Sequence, residues 1–139
     1  MKISTKGRYA LKVMIDLALH SDGQYIALKD ISNRQGITPK YMEQIVSALS
    51  KAGYVESMRG SNGGHRLSKA PSEYNVGDIL RTIEGSLASV ECSADSEGLS
   101  CPLASECSTA LFWQGLDKVI NDYIDSFTLQ DLLGQQRSV

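Results

Sequence analysis

Cys92, Cys101 and Cys107 are the only cysteines in the 139-residue chain, and they fall within sixteen residues, separated by eight and then five. An odd count cannot pair completely, and disulfides are rare in a reducing compartment, so ligation of a metal or cluster and reversible thiol chemistry lead over structural bridging. Thiolate is a soft donor suited to an iron–sulfur cluster or to zinc. Three thiolates leave a coordination position for another ligand, and a cluster held that way is labile, as suits a sensor better than a scaffold. The plain alternative is three idle or buried thiols.

A second constellation lies upstream. Thr38, Lys40, Tyr41, Glu43, Gln44 and Ser47 occupy outward positions on a helix expected over residues 38–53. Glutamine can pair bidentately with adenine, glutamate can accept from cytosine, and a lysine can meet guanine or a phosphate, which is the chemistry of major-groove reading. Any solvated helix face carries similar residues, so this set gains weight only from the glycine-rich segment downstream. There Arg59 and Arg66 flank a turn that contains Gly60, Gly63 and Gly64. Such a turn brings backbone close to a phosphate, and arginine is drawn to the negative potential of a narrow minor groove. His65 beside them reads as a turn-adjacent polar residue.

These groups need elements to hold them, and the apolar spacing supplies candidates. Tyr9, Val13, Met14, Leu17 and Ala18 recur at helical intervals over residues 4–20, leaving Lys6, Arg8, Lys12 and Asp16 elsewhere. A short helix over 28–35, with Leu28 and Ile31 inward, ends at Gly36, which accepts a left-handed cap. Thr38 as N-cap and Pro39 at the first helical position open the next helix, with Met42, Ile45, Val46, Leu49 and Ala52 on one face and Gly53 as its stop. Residues 54–59 and 65–69 alternate as two strands around the glycine turn, predicting a β-hairpin wing. Asn75 and Asp78 form a capping pair before an amphipathic helix carrying Val76, Ile79, Leu80 and Ile83. The expected fold is therefore mainly α with a small hairpin: a winged helix-turn-helix domain over 1–85, a cysteine-bearing loop over 86–107, and a long helix with a C-terminal tail over 108–139.

That last helix carries Phe112, Leu116, Val119, Ile120, Tyr123 and Phe127 on a continuous apolar stripe. A second copy of the helix would cover it by two-fold pairing, and packing on the chain's own first helix could bury another flank. A homodimer is the expectation.

Charge separates the two halves. Residues 1–70 hold eleven Lys/Arg against five Asp/Glu, residues 71–139 three against eleven, so a net charge of −2 conceals a basic half suited to a polyanion. The hydrophobic share of 42% and charged share of 22% are those of a globular protein, and no apolar run approaches the roughly 20 residues of a membrane span. The N-terminal residues lack the apolar core of a signal peptide, so a cytoplasmic location is expected. There is no Cys-x-x-Cys and no phosphate-binding glycine loop of the P-loop kind, and neither histidine has an evident partner, so an enzyme is not indicated.

Together, Lys2-Ile3-Ser4-Thr5-Lys6-Gly7-Arg8-Tyr9-Ala10, Tyr41-Met42-Glu43-Gln44-Ile45, Lys51-Ala52-Gly53, Arg59-Gly60 with Gly63-Gly64, Ile83-Glu84-Gly85, and Cys101-Pro102 followed by Cys107 and Trp113 resemble the IscR-type winged helix-turn-helix regulators. That family includes iron–sulfur, nitric-oxide and cysteine-metabolism regulators. The resemblance implies a homodimer on an imperfect palindrome in double-stranded DNA, with Glu43, Gln44 and Arg59 at base-reading positions. It implies Cys92, Cys101 and Cys107 as ligands of an iron–sulfur cluster, 2Fe–2S favoured over 4Fe–4S, in control of iron–sulfur biogenesis genes. The cysteine-metabolism branch supplies the alternative: a repressor acting through thiols or a metabolic enzyme partner. Two departures bear on the fourth ligand. The iron–sulfur pattern has five residues between its first two cysteines and a histidine three after the last, where this chain has eight and Ala110. The nitric-oxide branch can use a carboxylate near the partner chain's N-terminus, where this chain has Arg8. Asp95, Glu97, Glu106, His20, His65, water or a small thiol remain open as the fourth ligand.

Overall fold

The computed structural model describes residues 2–90 and 106–134. Helix α1 (Thr5–His20) is capped by Ser4, whose hydroxyl accepts from the Gly7 amide. Ser4 in turn donates its amide and its hydroxyl to Glu84 Oε1, at 3.0 and 2.6 Å, which pins the start of α1 to the end of a later helix. Ala10, Val13, Met14 and Leu17 are fully buried. Asp16, expected away from the apolar stripe, is buried beside them: its carboxylate faces α2 rather than water. Helix α2 (Leu28–Gln35) stops at Gly36, whose φ of +65° suits a residue without a Cβ. Helix α3 (Pro39–Lys51) begins as expected, with Pro39 in its first turn and the Thr38 hydroxyl accepting from the Tyr41 amide. It buries Met42, Ile45, Val46 and Leu49, each contributing about 1.5–3 kcal/mol of burial, whereas Ala52, expected on that face, is exposed past the helix end.

Strands β1 (Val55–Met58) and β2 (Gly64–Leu67) form an antiparallel hairpin in the register Val55↔Leu67 to Met58↔Gly64. The hairpin does not stand alone. Ile26, between α1 and α2, pairs with His65 through two backbone hydrogen bonds of 2.8 Å and adds a one-residue third strand. Gly64 permits that approach, because a Cβ there would lie 2.2 Å from the Ile26 carbonyl oxygen.

A 3-10 turn at Pro71–Glu73 leads to the buried Tyr74 and then to helix α4 (Val76–Glu84), capped by Asn75. Helix α5 (Ala110–Asp125) follows, and the single helix expected from residue 108 through Phe127 instead ends at Ser126. Thr128 and Asp131 then cap each other reciprocally to start α6 (Leu129–Leu133). The break is physical: Leu129 is fully buried in the main core with α1, and the chain reaches it by pairing Asn75 with Thr128. A straight continuation of α5 would carry that leucine away. Phe127 packs on a second cluster built from Val76, Leu80 and Leu87.

Candidate nucleic-acid interface and thiol centre

Helices α2 and α3, joined by the Gly36 turn, form the helix-turn-helix, and its geometry is locked from behind. Arg34 donates to both Asp16 oxygens, at 3.0 and 2.7 Å, and Gln35 adds a bond of 2.8 Å. Burial by itself would raise the Asp16 carboxyl, but these donors and the charges of Arg34 and His20 outweigh it and hold it below the usual carboxylate value. Inside the turn, the Ser32 hydroxyl donates to the Ile37 carbonyl. Helix α3 is thereby fixed at its N-terminal end.

On α3, Lys40, Glu43, Gln44 and Ser47 are exposed along the outer face, as expected, and Thr38 is exposed at the cap. Tyr41 is half-buried and meets the Tyr9 ring edge-on at 6.0 Å, so its ring braces α3 against α1. Arg59 is exposed at the hairpin turn. Arg66 is placed differently. Its guanidinium donates to Glu56 at 2.9 Å and to the Gly23 carbonyl at 2.8 Å, and it lies 4.4 Å from the Tyr25 ring centroid. Arg66 thus ties the hairpin to the α1–α2 connection, and the two arginines that flank the turn are not equivalent.

The base of the hairpin hangs on Tyr74. Its hydroxyl donates to the Tyr54 carbonyl at 2.7 Å and accepts from the Ser68 and Lys69 amides at 2.9 and 3.0 Å. Nothing in residue spacing marks Tyr74 for this task, since the partners lie up to twenty positions away. Between α3 and the hairpin opens a cleft of about 520 Å³ whose walls carry Glu43 and Ser47 on one side and Ser57 and His65 on the other. Burial holds the His65 imidazole below its ordinary value.

A two-stranded wing beside a helix-turn-helix with an exposed polar recognition face is the architecture of a winged-helix regulator, and comparison with known proteins agrees. Residues 3–135 match the profile of the Rrf2 family, described as iron-dependent transcriptional regulators. The chain belongs to the Rrf2 family. It is 36% identical to the HTH-type transcriptional regulator IscR of Vibrio vulnificus (strain YJ016) over 139 residues, which is 100% of this chain and 81% of that protein. Among solved structures it is similar to CymR, the global cysteine regulator of B. subtilis, with a TM-score of 0.78, 36% identity and 99% of each chain covered. It is likewise similar to T. potens IscR, with a TM-score of 0.75, 36% identity, 100% of this chain and 94% of that one. These relatives are regulators rather than enzymes, and this Rrf2-family chain is a transcriptional regulator of IscR type.

Of the three cysteines of this Rrf2 regulator, Cys92 and Cys101 lie outside the described residues. Cys107 is exposed just before α5, with its sulfur 3.2 Å from the Thr109 hydroxyl. Hydrogen bonding from that hydroxyl, and then from the Thr109 and Ala110 amides, lowers its thiol below the ordinary cysteine value. That is the donor a cluster requires. Of the described candidates for a fourth ligand, His20 has Nδ1 on the Asp16 carbonyl at 2.9 Å and His65 has Nδ1 on the Ser57 hydroxyl at 2.7 Å. Glu106 is exposed next to Cys107. No described helix is long and apolar enough to cross a membrane.

Cys107 lies just before helix α5, and the far end of that helix is gripped by α4. Arg81 on α4 forms a fork onto both Asp125 oxygens, at 2.9 and 2.8 Å, and reaches Asn121 at 2.7 Å. Ser89, close before Cys92 in the chain, donates its amide to Asp117 at 2.7 Å. Asp117, Asn121 and Asp125 are spaced by fours, so one face of α5 is a polar ladder. Phe112, Leu116, Val119 and Tyr123 lie along another face, exposed by 64%, 36%, 66% and 65%.

Proposed function

We propose that this regulator binds an imperfect palindrome in double-stranded DNA as a homodimer and senses iron–sulfur cluster status through Cys92, Cys101 and Cys107, controlling iron–sulfur biogenesis genes. The observation that carries the reading is the placement of Cys107 at the start of α5, the helix that Arg81 clamps to α4. A change of ligation at that thiol acts on a rigid element attached to the recognition domain. Thr38, Lys40, Glu43, Gln44 and Ser47 present the reading face, with Arg59 at the wing tip, while Tyr41, expected among them, braces α3 against Tyr9 from behind. Arg66 serves the same contact by holding the wing in place. The exposed stripe of α5 is the surface for the second copy.

The thiolate-stabilising surroundings of Cys107 support an iron–sulfur cluster, and the family resemblance favours 2Fe–2S over 4Fe–4S; when bound it supplies a redox- and iron-responsive charge centre. A free-energy difference of only about 1–3 kcal/mol between ligated and unligated forms changes operator occupancy roughly 5- to 150-fold. The test is an ultraviolet–visible spectrum of anaerobically purified protein with iron and sulfide assayed on the same sample. Absorbance between roughly 300 and 500 nm, with stoichiometric iron and sulfide that disappear in Cys101→Ala while the circular dichroism of the fold is kept, is the expected result. A full cluster in Cys101→Ala overturns the ligand set. A colourless protein that resists reconstitution leaves DNA binding intact and moves the cysteines to thiol chemistry. That second reading, a cysteine-metabolism repressor acting through thiols or a metabolic enzyme partner, draws on the exposed Cys107 and on the likeness to CymR.

A further inference from the structure

The cleft between α3 and the hairpin is lined by Glu43 and Ser47 of the reading face and also by Ser50, Lys51, Ser57 and His65, which base reading does not use. Glu43, Ser47 and Ser50 fall on one stripe of α3, at intervals of four and three, and line the cleft with Lys51 on the adjoining flank. Ser57 and His65 line it from the hairpin side as a cross-strand pair, hydrogen-bonded at 2.7 Å. His65 is immobilised further by its two backbone bonds to Ile26. The result is a trough in which three serine hydroxyls stand among the apolar Leu28 and Val46, with an ammonium at one end, an imidazole on one wall and a single carboxylate at the other end.

A duplex fixes what such a trough can receive. If α3 lies in the major groove and Arg59 enters the neighbouring minor groove, the sugar–phosphate strand that separates the two grooves must run between helix and hairpin. We infer that the cleft is a phosphodiester track: Lys51 neutralises a backbone phosphate while Ser47, Ser50, Ser57 and His65 offer hydrogen-bond donors to the same strand. Glu43 stands at the end nearer the start of α3, where its carboxylate is kept for a base edge and would repel a phosphate. The inference rests on the reading of α3 as the major-groove helix and adds residues that carry affinity without sequence preference.

The experiment measures dissociation constants of the full chain for a duplex from its own upstream region and for an unrelated duplex of equal length, from 50 to 300 mM salt. Lys51→Ala should weaken binding to both duplexes by the same factor and lower the salt slope by about 0.9 for each bound protomer. His65→Leu should weaken both roughly 2- to 12-fold with the slope unchanged, and His65→Gln, which keeps a donor, should recover most of the loss. Lys51 is exposed, so its variant is expected to melt like the parent chain. A Lys51→Ala slope equal to the parent's, or a loss confined to the upstream duplex, overturns the track. Glu43→Ala, measured alongside, reports on the underlying reading: discrimination between the duplexes should fall with the slope unchanged. If the parent chain shows no preference for the upstream duplex, base reading by α3 fails, whereas a Lys51 slope change on both duplexes would still stand for the track.

Discussion

At the residue scale, like residue types receive unlike work from their surroundings. Arg59 and Arg66 flank the same turn, yet only Arg59 is exposed; Arg66 is held by Glu56, Gly23 and Tyr25. Arg59→Ala should therefore weaken DNA binding at low salt by about 1–3 kcal/mol, read by fluorescence anisotropy, with the melting temperature unchanged. Asp16 is the converse case, a carboxylate whose task is entirely internal. Asp16→Asn keeps the shape but loses the charge that matches Arg34, and because the Arg34 side chain is one-third exposed the cost should be modest, about 1–3 kcal/mol by chemical denaturation. The pH dependence has a definite sign. The Asp16 pKa is depressed in the folded chain, so its contribution is fully present above the ordinary value of 3.8 and is lost as pH falls through the depressed one. The Asn variant should therefore show a shallower loss of stability on acidification below about pH 4 than the parent chain.

At the element scale, the hairpin is the part that local sequence supports least, since a lone two-stranded hairpin is marginal in water. Its rigidity is supplied from outside, by Ile26 at one edge, Arg66 across the surface and Tyr74 at the base. The Tyr74 hydroxyl accepts from two amides and donates to one carbonyl, so Tyr74→Phe takes the Lys69 amide's partner away and leaves Ser68 and Tyr54 only the 3.3 Å bond between them. The expected cost is about 1–3 kcal/mol in thermal unfolding. Hydrogen exchange should show the loss concentrated at Ser68 and Lys69, with α1 unaffected. Uniform loss of protection across the whole domain would mean that the hydroxyl serves the core rather than the wing.

At the scale of the whole molecule, α5 brings three features together. Its first turn adjoins Cys107, its polar ladder grips α4 and residue 89, and its apolar stripe faces outward. The exposed row of Phe112, Leu116, Val119 and Tyr123 is the face that the proposed second copy would cover. Val119→Asp should convert a dimer to a monomer by sedimentation, with little change in secondary structure because Val119 is 66% exposed within one chain. Operator affinity should fall with it, since two half-sites are then no longer bound together. A Val119→Asp chain that still sediments as a dimer would place the two-fold contact elsewhere.

The sequence by itself determined the elements and much of the candidate interface. Helix starts at Ser4, Thr38 and Asn75, the left-handed stop at Gly36, the hairpin and the outward row of α3 are all set by interactions within a few residues, which spacing and residue type record directly. The tertiary structure alone decided the rest. Asp16 looks like a surface acid until α2 brings Arg34 to it, eighteen positions on. The break of α5 at Ser126 depends on a core site for Leu129 that α1 helps to form. The separation of Arg59 from Arg66, and the trough between α3 and the wing, exist only where distant segments meet. Periodicity reports which face of an element is apolar; it carries no record of which polar group stands opposite, because that depends on the packing angle between elements and not on either one alone.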